Sequence, residues 1–303
     1  MTYNQLWKRL TVIYNEREAQ AIVRTVLDAL FGMSLTDICL GKVTQLSADD
    51  TTRLEKIMQR LEKSEPVQYV LGAEWFAGRL FDVAPGVLIP RPETEDLVKW
   101  TCDEAKEKED NSKEERGKEE KEVSKKGEEA PHPSILDIGT GSGCIAITVA
   151  LALPQARVTA WDISTDALDI AAGNAHRLGA SVRFEHQDAL SAPDDEERWD
   201  VIVSNPPYIC DRERADMSDN VLSYEPELAL FVPDNDPLLF YRAIAHYASK
   251  ALKPGGRLLF ETNTAYAHEV AQTMADEGFT AIEVRNDCFG KPRMVKGAFI
   301  REE

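Results

Sequence analysis

Cysteine is scarce in this sequence, and none of it follows a metal-binding pattern. The 303 residues contain five cysteines, an odd number, and no pair of them has the spacing of a zinc site. A scattered, odd set favours reduced thiols over a disulfide framework. We therefore predict no metal site and treat the five thiols as structural: Cys39, Cys102, Cys144, Cys210 and Cys288.

Long apolar runs are also missing. No stretch reaches the roughly 18 apolar residues that a membrane-spanning helix needs. The first ten residues, MTYNQLWKRL, lack the uninterrupted apolar core of a secretory signal. The sequence therefore predicts a cytoplasmic protein without a membrane partner.

Basic residues are outnumbered. The 35 Lys and Arg against 53 Asp and Glu give a formal net charge of -18. A protein that grips nucleic acid usually carries a basic surface, which displaces the counterions of the phosphates. The charge balance therefore disfavours a stable complex with nucleic acid.

What the sequence does have is enough apolar residues for a core, and its first part has a helical pattern. At 43% hydrophobic, the chain suits one large domain with a smaller companion. Apolar residues recur at spacings of three and four over residues 4–31, which predicts one helix ending near Gly32. Ser47 begins a second helix, with Asp50 completing an approximate capping box, and a third follows over residues 64–72. We predict a helical substrate-docking domain over residues 1–74 and a hairpin linker over residues 75–90.

The remainder, residues 91–303, alternates short apolar strands with helical segments. The candidate strands are ILDIG, RVTAWDI, SVRFEHQ, WDVIVSNPP, GRLLFET and TAIEVRND. Strands separated by crossover helices predict a doubly wound, mostly parallel α/β sheet, which binds ligands beyond the carboxyl ends of its strands. Residues 103–133 are rich in Lys and Glu with almost no large apolar side chain, so we predict a solvated, partly helical or disordered insertion there.

A glycine-rich turn follows the first of these strands. The segment Gly139, Thr140, Gly141, Ser142 and Gly143 has glycine at every second position and leads into an apolar helix. The spacing departs from the dinucleotide fingerprint because Cys144 stands where that pattern needs glycine. It fits S-adenosylmethionine better, although a nucleotide loop or a merely tight turn also accounts for it.

Two acidic residues end the next strands. Asp162 can accept hydrogen bonds from both hydroxyls of a ribose, or it can simply cap the following helix. Asp188 can accept from the exocyclic amine of adenine, with Ile163 and Ala189 lining the base. We predict a cofactor site from these residues together with the glycine turn.

The tetrapeptide Asn205, Pro206, Pro207 and Tyr208 is the most specific signal in the sequence. Two prolines fix the backbone and remove two amide donors, so the loop presents acceptor oxygens. The Asn205 side-chain oxygen and the Pro206 carbonyl can each accept one N–H of a planar NH2 group, which would turn its lone pair toward a sulfonium methyl group, and Tyr208 would stack on it. The alternative is a rigid turn after a strand.

Five segments together resemble the HemK/PrmC family of release-factor glutamine methyltransferases: PVQYVLG (66–72), IPRPETE (89–95), ILDIGTGSG (135–143), SNPPYI (204–209) and YEPELAL (224–230). The resemblance implies a seven-stranded, Rossmann-like methyltransferase sheet with a small helical N-terminal domain. It also implies S-adenosylmethionine as methyl donor, S-adenosylhomocysteine as product, and the glutamine of the Gly-Gly-Gln motif of bacterial class 1 peptide-chain release factors as acceptor. Arg91 and Glu93 would border the acceptor pocket.

Three features depart from the family pattern, and we expect none of them to touch the core chemistry. The first is the insertion at 103–133. The second is the region 1–63, which is similar to the family only in helical character. The third is Glu261-Thr262-Asn263, which stands in place of Glu-Ile-Gly. Two other functions stay open. The chain could methylate the exocyclic amine of adenine in nucleic acid, or it could be a non-catalytic binding module. We expect the chain to be a monomer.

Overall fold

The computed structural model describes residues 1–119 and 132–300. The chain divides into two units, the first made of Met1–Ala73, Val83–Pro85 and Asp216–Glu225, and the second of Glu74–Asp82, Gly86–Ala215 and Pro226–Glu303. Residues 120–131, inside the predicted insertion, lie outside the described residues. The predicted division at residues 74 and 90 stays a prediction.

The described helices are α1 (Tyr3–Leu10), α2 (Glu16–Phe31), α3 (Leu35–Cys39), α4 (Ala48–Leu61), α5 (Val67–Leu71), α6 (Pro92–Glu119), α7 (Cys144–Ala152), α8 (Thr165–Leu178), α9 (Asp219–Tyr224), α10 (Glu227–Leu230), α11 (Leu239–Ala251) and α12 (Ala267–Asp276). Short 3-10 helices cover Lys42–Gln45, Ala189–Ser191 and Asp211–Asp216. Within residues 1–119 and 132–300, none of the helices is long and apolar enough to cross a membrane.

The described strands are β1 (Ala73–Phe76), β2 (Arg79–Asp82), β3 (Ser134–Ile138), β4 (Arg157–Asp162), β5 (Val182–His186), β6 (Trp199–Ser204), β7 (Ile209–Cys210), β8 (Phe231–Val232), β9 (Leu252–Glu261), β10 (Phe279–Asn286) and β11 (Pro292–Phe299). Strands β1 and β2 form one two-stranded sheet, and β7 and β8 form another.

The first unit is built from amphipathic helices, but the predicted helix over 4–31 is wrong as one element. It breaks after Leu10, and Asn15 starts α2 by accepting a hydrogen bond from the Glu18 N–H. Gly32 ends α2, as predicted, and its backbone is left-handed. Ser47 caps α4 by accepting from the Asp50 N–H, also as predicted, while the Asp50 carboxylate accepts from the Ser47 hydroxyl. The apolar faces share one core: Leu6, Leu10, Val23, Val26, Leu27, Leu54, Met58 and Leu61.

The second unit contains a seven-stranded sheet in the order β10-β11-β9-β6-β3-β4-β5. Strand β3 pairs in parallel with β4 and β6, and β6 pairs in parallel with β9. Strand β11 runs antiparallel to both of its neighbours. The chain passes from β3 to β4 and β5 on one side and then returns to β6 on the other, so the strand order reverses at β3. The predicted doubly wound, mostly parallel sheet is confirmed, but the six candidate strands omitted β11.

Helices cover both faces of this sheet because its inner strands are apolar on both sides. Ile135 packs on the face covered by α6 and α7, whereas the next residue, Leu136, packs on the face covered by α11 and α12. Successive residues of a strand point to opposite faces. The edge strand β10 is less regular, with register shifts between Thr280 and Glu283 and a positive φ of 47° at Ala281.

The prediction of a solvated insertion beginning at residue 103 is wrong for its first residues. Helix α6 continues through them, and Glu104 and Ala105 are buried. Glu104 accepts hydrogen bonds from the side chains of Trp100, Arg257 and Lys296. A charged residue can therefore belong to the packed part of the fold when its partners arrive from other elements.

Candidate active site

The glycine turn joins β3 to α7 through backbone conformations that favour glycine. Gly139, Gly141 and Gly143 have φ values of 77°, 55° and 81°, in the left-handed region that side chains disfavour. The N–H groups of Gly139 and Thr140 both donate to the Trp161 carbonyl, at 2.9 Å each. These bonds hold the turn against the end of β4, where Asp162 follows.

Asp162 is tied to the glycine turn directly. Its Oδ2 accepts from the Gly141 N–H at 2.8 Å, and its Oδ1 accepts from the Ser164 N–H at 2.9 Å. A carboxylate has about four lone-pair sites, so both oxygens keep capacity for a further donor. Asp162 thus both organises the turn and offers acceptors beside it.

Asp188 follows β5 and starts the 3-10 helix Ala189–Ser191. Its Oδ1 accepts from the Leu190 N–H at 2.8 Å, which fixes the orientation of the carboxylate. The predicted strand-end position of Asp188 is confirmed.

A cavity of about 310 Å³ brings these residues together with the Asn-Pro-Pro segment. Its lining includes Gly139, Gly141, Asp162, Ile163, Asp188, Ala189, Asn205, Pro206 and Pro207, and also Gly86, Val87, Leu88, Ser204, Leu228, Phe240 and Ile244. Residues that are far apart in sequence therefore share one space at the carboxyl ends of β3, β4 and β6, beside the point where the strand order reverses, as expected for an open parallel sheet.

Part of the cavity wall is apolar and exposed. Ile163, Leu190 and Leu228 line it with 42%, 46% and 58% of their surface accessible. Ligand pockets commonly combine such apolar walls with a few fixed polar groups. A flat, weakly polar ring such as adenine, with a sugar beside Asp162, fits this combination.

The Asn-Pro-Pro-Tyr segment lies between β6 and β7, and Asn205 contacts a buried polar pair. The Asn205 Nδ2 donates to the Thr94 Oγ1 at 3.5 Å, and the Thr94 hydroxyl donates to the Glu261 Oε2 at 2.7 Å. Thr94 and Glu261 are 2% and 1% exposed. The segment is therefore fixed by groups from the start of α6 and the end of β9.

Tyr208 joins the same carboxylate from the other side. Its hydroxyl donates to the Glu261 Oε1 at 3.3 Å. Burial, and then the negative charge of Glu261, raise the pKa of the Tyr208 phenol. Burial also raises the pKa of the Glu261 carboxyl, and the Thr94 hydroxyl and the charge of Arg293 oppose that rise.

Asn263, one of the departures from the family pattern, contacts the Asn-Pro-Pro-Tyr segment. Its Nδ2 donates to the Tyr208 carbonyl at 3.3 Å and to the Glu213 carboxylate at 3.2 Å. Asn263 therefore braces the end of the Asn-Pro-Pro-Tyr segment, and the expectation that no departure touches the core chemistry stays a prediction.

Several predicted site residues do not line the cavity. Thr140 is buried and donates to the Asp137 carboxylate at 2.6 Å, while the Ser142 carbonyl accepts from Asn174. Gly143 caps α7, and Tyr208 packs against the core on the face of the sheet covered by α11 and α12. Arg91 and Glu93 flank the start of α6, and their charges act on the pKa of Tyr208 and of Glu261.

Asp137 lies below the glycine turn and is fully buried. Its Oδ2 accepts from the Thr140 hydroxyl and from the Ala146 N–H. Its Oδ1 has no hydrogen-bond partner among the residues that the structure describes. Burial raises the pKa of this carboxyl to about 7.

Sequence reasoning missed Thr94, Glu261 and the Gly86-Val87-Leu88 wall. Thr94 lies in the segment IPRPETE (89–95), but its hydroxyl partner stands 167 residues later, so the pair has no local signal. As for metals, none of the described side chains forms a group of three or more His, Cys, Asp or Glu that could hold an ion.

Two family models match parts of this chain. The family model of the methyltransferase small domain matches residues 125–223, and that of the PrmC N-terminal domain matches residues 4–72. The second match shows that the expected weak similarity of residues 1–63 was wrong. Among solved structures, TrmN from Thermus thermophilus is 25% identical with a TM-score of 0.41, covering 56% of this chain and 45% of that one.

Full-length relatives are more similar. The release factor glutamine methyltransferase of Bacteroides thetaiotaomicron is 44% identical over 284 residues, 93% of this chain and 94% of that protein. The protein of the same name from Flavobacterium psychrophilum is 37% identical over 295 residues, 97% of each. Identity at this level over nearly the whole length shows that the chain belongs to the release factor glutamine methyltransferase family.

Proposed function

We propose that this chain transfers a methyl group from S-adenosylmethionine to the side-chain amide nitrogen of the glutamine in the Gly-Gly-Gln motif of bacterial class 1 release factors. The observation that carries the proposal is the single cavity lined by the glycine turn, Asp162, Asp188 and residues 205–207. The full-length relatives are named release factor glutamine methyltransferase, which supports the same acceptor. A protein that modifies a translation factor would act in the cytoplasm.

One group of residues would hold the cofactor. These are Gly139, Thr140, Gly141, Ser142, Gly143, Asp162, Ile163, Asp188 and Ala189, with Asn205 at the border. Asp162 would accept from the ribose hydroxyls, Asp188 would accept from the adenine amine, and Ile163 would lie against the ring. When bound, S-adenosylmethionine supplies an electrophilic methyl group on a sulfonium sulfur.

A second group would hold the acceptor. The Asn205 Oδ1 and the Pro206 carbonyl would each accept one N–H of the glutamine amide, which draws the nitrogen out of conjugation and aims its lone pair. Pro207 keeps the turn rigid, and Tyr208, Arg91 and Glu93 would border the substrate. No base is needed before transfer, because the methylated nitrogen becomes acidic and then loses its proton. Alignment of this kind can lower a barrier by about 7 to 11 kcal/mol.

The test is methyl transfer from labelled S-adenosylmethionine to a purified release factor. We expect a single added methyl group on the glutamine of the Gly-Gly-Gln peptide, located by mass spectrometry. A release factor with that glutamine replaced by alanine is the matched substrate control. Label on another residue would contradict the proposed acceptor.

Replacement of Asn205 tests whether the activity depends on the cavity. Asn205→Ala should lower kcat by at least about 100-fold, because the acceptor amide loses one of its two positioning oxygens. Calorimetry should give nearly unchanged affinity for S-adenosylmethionine. Asn235→Ala, which removes the same side chain from an exposed position, is the control.

Two further assays separate the alternatives. Labelled DNA or RNA together with an unlabelled release factor would favour the adenine reaction. Absence of calorimetric binding of S-adenosylmethionine would favour a non-catalytic binding module.

A further inference from the structure

Glu261 is a buried carboxylate at the end of β9 that the proposed chemistry does not use directly. Its two oxygens accept from different hydroxyls, Oε2 from Thr94 and Oε1 from Tyr208. Arg293, on the paired strand β11, lies close enough for its charge to favour the ionised form. Burying a carboxylate is costly, and the two hydroxyl donors offset part of that cost.

The Thr94 hydroxyl has only one hydrogen, and Glu261 takes it. A hydroxyl carries one donor and two acceptor sites. Because the short 2.7 Å bond directs the hydrogen to Glu261, the Thr94 oxygen can act only as an acceptor toward its other neighbour. That neighbour is the Asn205 amide at 3.5 Å.

The direction of this bond decides which end of the Asn205 side chain faces the acceptor. A side-chain amide has a donor end and an acceptor end. With Nδ2 directed at Thr94, Oδ1 is the branch available to a bound NH2 group. If the Thr94 hydrogen turned to Asn205 instead, the amide would reverse and present N–H groups to an N–H donor.

We propose that Glu261 is a positioning residue that acts through the Thr94 hydroxyl to keep the Asn205 oxygen toward the methyl acceptor. The proposal rests on the proposed function, since it assigns a cause to the orientation of Asn205. Tyr208 shares the same carboxylate, so the two ends of the Asn-Pro-Pro-Tyr segment are held from one buried point. The reaction itself gains no new step, and Glu261 is not among the residues that line the cavity.

The first test removes the Thr94 hydroxyl at nearly constant volume. Thr94→Val should lower kcat about 30- to 100-fold at saturating cofactor and release factor, because the Asn205 amide loses the partner that orients it. The dissociation constant of S-adenosylmethionine should stay close to that of the unmodified protein, whereas the unfolding midpoint should fall, because the buried Glu261 carboxylate loses one of its two hydroxyl donors. Thr94→Ser, which restores the hydroxyl, should recover most of the lost rate.

The matched control lies on the same helix. Thr101 is equally buried, and its hydroxyl donates only to the Leu97 carbonyl within α6. Thr101→Val should therefore leave kcat unchanged. If it lowered kcat as much as Thr94→Val, the loss would reflect packing of α6 and the proposal would be overturned.

The second test addresses the direction of the hydrogen bond between Thr94 and Glu261. A glutamine at position 261 can donate to Thr94, which frees the Thr94 hydrogen to turn toward Asn205. Glu261→Gln should therefore lower kcat by about tenfold or more with cofactor affinity unchanged. A normal kcat in Glu261→Gln alongside a low one in Thr94→Val would overturn the role of Glu261. If the unmodified protein itself failed to label the release factor, the proposed function would fail instead.

Discussion

Asn174 is a buried residue whose side chain uses every hydrogen-bonding site it has. Its Nδ2 donates to the carbonyls of Asp82 and Ser142, and its Oδ1 accepts from the Asp82 N–H and the Arg177 guanidinium. Asp82 ends β2, and Ser142 belongs to the glycine turn. One amide on α8 therefore joins the β1-β2 sheet to the turn, and its full complement of partners offsets the cost of burying it.

Glycine at position 143 is required for two separate reasons, whereas glycine at 173 is not. Gly143 has a left-handed backbone, and an added Cβ would lie 2.7 Å from the Ile147 Cδ1 and 3.1 Å from the Ala171 Cβ. Gly173 lies inside α8, where an added Cβ would meet nothing within 4 Å. The two glycines are therefore a matched pair for mutation.

We expect Gly143→Ala to lower the free energy of unfolding by about 3 kcal/mol, from backbone strain and overpacking together. Gly173→Ala should instead raise it by about 0.5 to 1 kcal/mol, because alanine is the better helix former. Urea unfolding of both variants measures the difference. A Gly143→Ala variant at least as stable as the unmodified protein would show that the turn tolerates a side chain.

The site residues that could be predicted from the sequence are those with a local sequence signal. Glycines at alternate positions and two prolines after a strand restrict the backbone, so the glycine turn and residues 205–207 could be identified. Thr94 and Glu261 could not be identified, because neither has a local sequence signal. Only the folded chain brings the two side chains together. Tyr208 was expected to stack on substrate, and its bond to Glu261 was likewise invisible.

Helix α6 is attached to the sheet by a buried ionic cluster. The Glu104 carboxylate accepts from Lys296 at 2.6 Å and from Arg257 at 3.0 Å, and these two cations come from β11 and β9. The Trp100 indole also donates to Glu104, and Arg285 lies over its ring. One acidic side chain thus connects a helix with two strands.

Removing that negative charge should be costly. We expect Glu104→Gln to lower the free energy of unfolding by about 3 kcal/mol, because two largely buried cations lose their counter-charge. Glu107→Gln, an exposed position on the same helix, should change it by no more than about 0.5 kcal/mol. Chemical unfolding monitored by circular dichroism compares the two. If the two variants changed the free energy of unfolding equally, the ionic cluster around Glu104 would contribute no more to stability than a solvated ion pair.

The errors at the level of elements have related causes. Glu104 was assigned to a solvated insertion because its cationic partners stand 153 and 192 residues later. The helix predicted over 4–31 breaks between Leu10 and Glu16 because the Asn15 cap outweighs a continuous apolar periodicity. Strand β11 was missed because it is the returning strand of a hairpin, without a crossover helix to mark it. The strands that alternate with helices were all found.

The stability of the whole protein should depend on the ionisation of Asp137. Its pKa is raised to about 7 by burial, from an ordinary value of 3.8. Between those two pH values, the folded protein holds a proton that the unfolded chain has released. The contribution of this group to stability is therefore greatest below pH 3.8, falls as pH rises, and stays low above about pH 7.

Asp137→Asn removes this dependence and tests it. Relative to the unmodified protein, the variant should gain about 3 kcal/mol of unfolding free energy between pH 5 and pH 8. Urea unfolding at the two pH values gives the difference directly. If the difference in unfolding free energy between Asp137→Asn and the unmodified protein did not change with pH, Asp137 would titrate at its ordinary value.

The two edge strands of the seven-stranded sheet, β5 and β10, affect whether separate molecules can pair through their sheets. On β5, Arg183 and Glu185 form an ion pair at 2.7 Å, and the Arg183 side chain is 74% exposed. On β10, the register shifts and the turned backbone at Ala281 interrupt the row of main-chain groups that a foreign strand would need. Charged or irregular borders make poor templates for intermolecular β pairing. Crowded solutions of the folded protein should therefore resist fibre growth from either side of the sheet.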